Sequence, residues 1–149
     1  MAEAALIFSI ITASASLAMK CGEVAKTLND ITAKYKKAEL SMSLLLQQID
    51  TIKAAWERIS AWSTACQERL TATGNDTNLL GRLDRSLKCG NLVVSALEDD
   101  LKAYKFEGGL LTFRQRSKLV WNDDTIQSHQ TRVRDQVATM TLLLQVLNL

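Results

Sequence analysis

The sequence contains no proline in 149 residues. Ordinary usage is about 5%, so the strongest helix breaker is missing from the whole chain. Aromatics make up only 5%, which argues against a β-sandwich core of aromatic and β-branched residues. Charge of one sign is also lacking. The formal net charge is +2, and a nucleic-acid partner would call for a strongly basic face. Cysteine is sparse: Cys21, Cys66 and Cys89 are odd in number and far apart. A secreted disulfide scaffold would need an even, dense set, so these read as reduced thiols of a cytosolic protein. No Cys/His spacing supplies a zinc ligand set, and no G-x-x-x-x-G-K-[ST] loop is present to cradle a nucleotide.

Catalytic groups are equally scarce. Hydrolysis needs a nucleophile, a base and an orienting group held together. The one histidine, His129, lies in the polar stretch 127–132 and reads as solvated surface. Asp99-Asp100 and Asp123-Asp124 are adjacent pairs, whose members point about 100° apart on a helix; they read as polar surface or caps. The sequence therefore predicts a protein that is not an enzyme and carries no cofactor and no metal.

What remains is apolar content of 47%, and it is periodic. Met42, Leu45, Ile49, Ile52, Trp56 and Ile59 step by alternating threes and fours. Leu80, Leu83, Leu87, Gly90, Val94, Leu97, Leu101 and Tyr104 do the same. Leu17, Cys21, Val24, Leu28, Ile31 and Tyr35 form another stripe; Ile126, Val133, Val137, Met140, Leu144 and Leu147 form a fourth after one seven-residue step. Such stripes lie on one helical face and pack at shallow angles. Gly74 to Thr77 and Gly108-Gly109 read as turns, Thr112 to Gln115 as a capping box, and Asn122 to Asp124 as a restart after Trp121. Nothing punctuates the first boundary. Read literally, residues 2–72 form one rod about 105 Å long. Lys34, Lys36 and Lys37 crowd together where the stripe weakens, and lysines favour helix C-termini, so a break is placed at 36–38. The predicted fold is all-α, an antiparallel four-helix bundle with a kinked or broken last helix, in one domain spanning 1–149.

The N-terminal stretch Ala4 to Met19 carries no charge. As a signal peptide it lacks a positive n-region. As a membrane span its 16 residues reach about 24 Å, short of a hydrocarbon core of about 30 Å, which makes it a conditional span at most. Lys34/Lys36/Lys37 and Arg114/Arg116/Lys118 are basic clusters; the default is a solvated face, and attraction to anionic lipid is the rival. Trp56 falls on a core stripe. Trp62 lies three residues beyond that stripe's last member and is a candidate for a second contact surface.

These residues resemble a family. The start Ala2 to Ile7, leading into a small-residue helix, is similar to the HeLo-like N-terminal domains of fungal STAND (NLR-like) receptors. So are the stretch Phe113 to Asn122 and the closing Val137 to Leu147. The resemblance covers essentially the whole chain, but its motifs are hydrophobic patterns rather than catalytic signatures. It implies a four-helix bundle at the N-terminus of a receptor, executing regulated cell death of the kind seen in heterokaryon incompatibility and innate immunity. The domain is then expected to oligomerise and to move from the cytoplasm to the plasma membrane on activation, engaging lipid through its first helix. Ala4, Leu6, Ile7, Phe8, Ile10, Ile11 and Leu17 are the residues of that helix, and Lys34, Lys36 and Lys37 are basic residues suited to lipid headgroups. Nucleotide-binding and repeat modules of such receptors are absent from this chain, and no nucleic acid is expected as a partner. The alternative is a bundle that only oligomerises or recruits a protein partner. In the resting state Leu6, Ile7, Ile10, Ile11 and Leu17 are expected to be buried, with Phe8 on another face. The hydroxyls at 9, 12, 14 and 16 are expected to face neighbouring copies or a pore once the helix is released.

Overall fold

The computed structural model describes residues 2–34, 39–67, 77–105 and 123–148, and every described element is a helix. The four helices are α1 (Ala2–Lys34), α2 (Glu39–Ala65), α3 (Thr77–Lys105) and α4 (Asp123–Val146). α1 packs on α2 and α3, and α4 packs on the same two, so the bundle closes in the ring order α1, α2, α4, α3. The α1–α2 interface is the most extensive. Small residues explain it: Ala18 and Ala25 are buried, and the Lys53 side chain lies across the bare backbone of Gly22, 3.5 Å from where a Cβ would sit. Because α1 and α2 lie side by side, the continuous 2–72 rod is not formed. The break expected at 36–38 falls between Lys34 and Glu39, and those connecting residues lie outside the described set, as do Gly74, Gly108-Gly109, Thr112 to Gln115 and Trp121. The last helix is a single element from Asp123.

Each helix buries one stripe. On α2 the six positions read from the sequence are all fully buried, and Ser63 continues them. On α3 the stripe runs unbroken from Leu80 to Leu101. On α1 the stripe before Cys21 is Ile7, Ile10, Ser14 and Leu17; of these, only Ser14 is not among the residues expected to be buried. Ser14 is tolerated there because its hydroxyl donates to the Ile10 carbonyl one turn back, which satisfies the buried donor inside the helix.

α4 corrects the sequence reading. Its buried positions are Ile126, His129, Val133, Gln136, Met140, Leu143 and Leu147, while Val137 and Leu144 are half-buried at the flank. The true stripe is regular, and two of its members are polar; choosing the apolar residues displaced it by one at 137 and 144. His129 is therefore not on the surface. It is 2% exposed, with Nε2 2.5 Å from Asp100 Oδ2 on α3. Asp100 supplies the partner that a buried ring nitrogen requires.

The four stripes converge at Gly90. A methyl built there would lie 3.0 Å from Leu17 Cδ2, 3.2 Å from Gln136 Nε2 and 3.6 Å from Trp56 Nε1. Glycine is the residue that leaves room for an indole and an amide from two other helices at one point. Asn148 closes α4 in the left-handed conformation (φ 57°), donating to the Gln145 carbonyl at 3.1 Å, a position asparagine accepts more readily than most residues.

Candidate functional site

The segment singled out by its lack of charge is the first half of α1. Its inner side is anchored: Ile7, Ile10 and Leu17 are buried, and Leu6 and Ile11 are half-buried against the core. Phe8 lies on another face and is 64% exposed. Ala4 and the side chain of Lys34 lie outside the described side chains, and Lys36 and Lys37 outside the described residues.

The outer side carries the information. Ala5, Phe8, Ser9, Thr12, Ala15, Ser16 and Met19 are all exposed, and none is charged. Met19 is 71% exposed. A core helix of a bundle needs apolar residues on its inner stripe only and ordinarily carries charge outside. α3 follows that rule, with Arg82, Arg85 and Lys88 exposed. The first half of α1 does not, although its second half does with exposed Glu23, Lys26 and Asp30, so the composition of the first half exceeds what packing requires. By length and composition, Ala5–Thr32 is the one span among the described residues that could cross a membrane, and only 33% of its most apolar window is buried in the bundle. At 28 residues it would extend about 42 Å as a helix, but everything past Met19 brings in Lys20, Glu23, Lys26 and Asp30, which are costly at the bilayer centre.

Two hydroxyls of this segment are satisfied within the helix. Thr12 donates to the Phe8 carbonyl at 2.9 Å, and Ser14 to that of Ile10. Ser14 thus faces the core in this state rather than solvent. The first charge after the run, Lys20, reaches α3, where its Nζ donates to Ser95 Oγ at 2.6 Å. Next to it, burial pushes the Cys21 thiol up to about 12, with Lys20 and Lys53 opposing only partly. A thiol held neutral in this way is a poor nucleophile.

Trp56 is fully buried, and Trp62 is half-buried against the core, so less of it faces outward than its place beyond the stripe suggested. Among the described residues no three His, Cys, Asp or Glu side chains gather as a metal site. A shallow groove of about 260 Å³ lies between α2 and α4, bounded by Ala54, Ala55, Arg58, Val137, Thr141 and Leu144. Comparison with protein-family models, curated proteins and solved structures finds no match to this chain.

Three features escaped the sequence reading. His129 and Gln136 are polar and carry no apolar signal, although the three-four spacing runs through both. The neutrality of α2 from Ile59 to Gln67 and of α4 from Gln136 onward was legible as charge spacing, but nothing in the sequence said that these stretches lie near α1.

Proposed function

We propose that this chain is a non-enzymatic effector bundle of the HeLo-like kind, whose first helix leaves the bundle on activation and enters a membrane, with several copies assembling as it does so. The observation that carries the reading is the uncharged outer side of α1 from Ala5 to Met19, which faces solvent in the resting bundle and has no packing role there. The resemblance of the N-terminal, 113–122 and C-terminal segments to HeLo-like receptor domains supports it.

Part of the proposal is that helices consecutive in the chain run up-down-up-down, which makes the neighbours α1 and α3 parallel: Leu17 and Lys20 meet Gly90 and Ser95 in ascending order. Ser60 approaches the Ile11 carbonyl while Lys53 covers Gly22, so ascending positions on α1 meet descending positions on α2. Asp100 meets His129 and Ser86 meets Gln136, which relates α3 and α4 in the same way. In that arrangement α1 packs chiefly on α2 and α3, and α4 keeps its contacts with both of these when α1 leaves.

Release from vesicles tests the reading. Ala15→Lys and Thr12→Lys place a charge on the exposed side and leave the bundle folded, since exposed substitutions usually stay within about 0.5 kcal/mol. A lysine at the bilayer centre costs about 2.5–3.5 kcal/mol, so dye leakage from anionic vesicles falls by about a hundredfold. Equal leakage from wild type and both variants would refute insertion of α1. The second reading, an assembly bundle that never touches lipid, is favoured by one observation: the uncharged surface does not stop at α1.

A further inference from the structure

α1 is a single helix, but its two halves are built differently. From Ala5 to Met19 it carries no charge, whereas Glu23, Lys26 and Asp30 are exposed beyond. Packing changes at the same place. Between Glu23 and Ile31 the helix buries Val24, Ala25, Leu28 and Ile31, four apolar positions in nine residues. Between Ala5 and Met19 it buries Ile7, Ile10, Leu17 and Ala18, four in fifteen. Between Ile10 and Leu17 the one buried position is Ser14. Its hydroxyl bonds back within the helix, a contact that slightly weakens helices. α2 is polar at this level too. Ser60 reaches the Ile11 carbonyl only at 3.4 Å, and Ser63 Oγ is buried without a hydrogen-bond partner among the described residues. Such a hydroxyl costs stability that opening returns by letting water in.

We propose that α1 is jointed at Lys20 to Gly22: Ala5 to Met19 swings out of the bundle as one piece, while Glu23 to Ile31 stays seated. Glycine is, after proline, the residue least suited to a helix interior, and Gly22 is the single glycine of α1. It also serves as the cap of a shortened helix, where alanine is poor. Glu23 then stands in the first turn of that helix, where a carboxylate is favoured by the exposed N–H groups. Two ties stop the opening there. Lys20 Nζ donates to Ser95 Oγ on α3 at 2.6 Å, and such charge-assisted bonds are stronger than neutral ones. The Lys53 stem on α2 lies across Gly22, 3.5 Å from where a Cβ would sit. Cys21, between them, is fully buried.

Charge sets the same limit. Charged side chains such as Glu23, Lys26 and Asp30 each cost about a hundredfold in partitioning to the bilayer centre, so the seated half gains nothing by following. The joint rests on the release step of the function proposed above and names the piece that moves. That piece is the uncharged run alone, leashed to a bundle that keeps all four helices in contact. Opening at the joint needs no lipid, so it is measured apart from vesicle leakage.

The test is thiol labelling of the folded chain in buffer without lipid, in a Cys66→Ser, Cys89→Ser background, with circular dichroism confirming that each variant is folded. Native Cys21 reports the joint. Ser14→Cys, in a chain that also carries Cys21→Ala, reports the moving piece. Both positions are buried, so each labels only when its surroundings open. Ser14→Cys is expected to label about tenfold or more faster than Cys21. Gly22→Ala slows the Ser14→Cys probe about fivefold; its methyl meets only the Lys53 stem, at ordinary contact distance. Ile31→Val and Ser95→Ala, which weaken contacts kept in the open form, speed Cys21 severalfold and leave the Ser14→Cys probe unchanged. Hydrogen exchange of the unaltered chain makes the same comparison, with amides from Phe8 to Met19 exchanging well before those from Val24 to Ile31. Equal labelling at both probes, both quickened by Ile31→Val, means that α1 opens as one rod and overturns the proposal. So does a Ser14→Cys probe indifferent to Gly22→Ala. If the rates differ as expected and vesicles still do not leak, the joint stands and the membrane step falls.

Discussion

Replacing each of two glycines of α3 by alanine should move stability in opposite directions. Alanine is favoured over glycine inside a helix by about 1 kcal/mol, and this gain is available at both positions. At Gly81 nothing lies within 4 Å of the new methyl, so Gly81→Ala is expected to stabilise by about 0.5–1 kcal/mol. At Gly90 the methyl arrives 3.0 Å from Leu17 Cδ2 and 3.2 Å from Gln136 Nε2. Both neighbours are buried, and neither is the free end of a flexible surface chain. Relieving the contact pushes α1 or α4 away from α3, and overpacking of this kind costs about 1–3 kcal/mol. The net expectation is a loss of up to about 2 kcal/mol, which lowers the melting temperature by a few degrees, at about 2–4 °C per kcal/mol for a chain of this size. Urea unfolding followed by circular dichroism measures both variants at unchanged slope. If Gly90→Ala gains as much stability as Gly81→Ala, Leu17, Trp56 and Gln136 do not converge there, and the helix order is wrong.

Three further outcomes follow from the core. Cys21 is raised in the folded state from 9.0 to about 12, so its contribution is complete below pH 9 and fades as pH rises toward 12, at up to about 1.4 kcal/mol per pH unit; between pH 9 and 10.5 the stability of Cys21→Ala should fall less steeply than that of wild type in urea titrations. In native protein a thiol reagent should label exposed Cys89 rapidly and leave buried Cys21 until unfolding. Asp100→Ala removes a partner of a buried ring and is expected to cost about 1–3 kcal/mol in chemical denaturation, whereas His129→Leu removes the buried polar atoms themselves and should cost less; the reverse order would mean that His129 is not held by Asp100.

The residues that define the helices were readable because a bundle core repeats with the helix. Met42 through Ile59 could be listed in advance since all six are apolar and evenly spaced, and burial of each follows from one helix facing the others. The same criterion failed on α4, where His129 and Gln136 occupy core positions. Local apolarity pointed to Val137 and Leu144 instead, because whether a polar side chain is buried depends on a partner elsewhere, here Asp100 and the Ser86 carbonyl 50 residues away in sequence. The uncharged run of α1 was likewise visible as a run, but not that so much of it faces outward.

The absence of proline, the four stripes and the neutral stretch Ala4 to Met19 are properties of the chain itself. They determine helices, an all-α bundle and the segment that stands out, because helical periodicity and charge are local. Which helices are neighbours was decided only by packing. Gly90 makes room for Trp56 and Gln136, Ala18 and Gly22 let α1 lie close on α2, and the ring order that results places three uncharged stretches side by side around α2. Adjacency is a non-local quantity, set by the fit of surfaces distant in sequence.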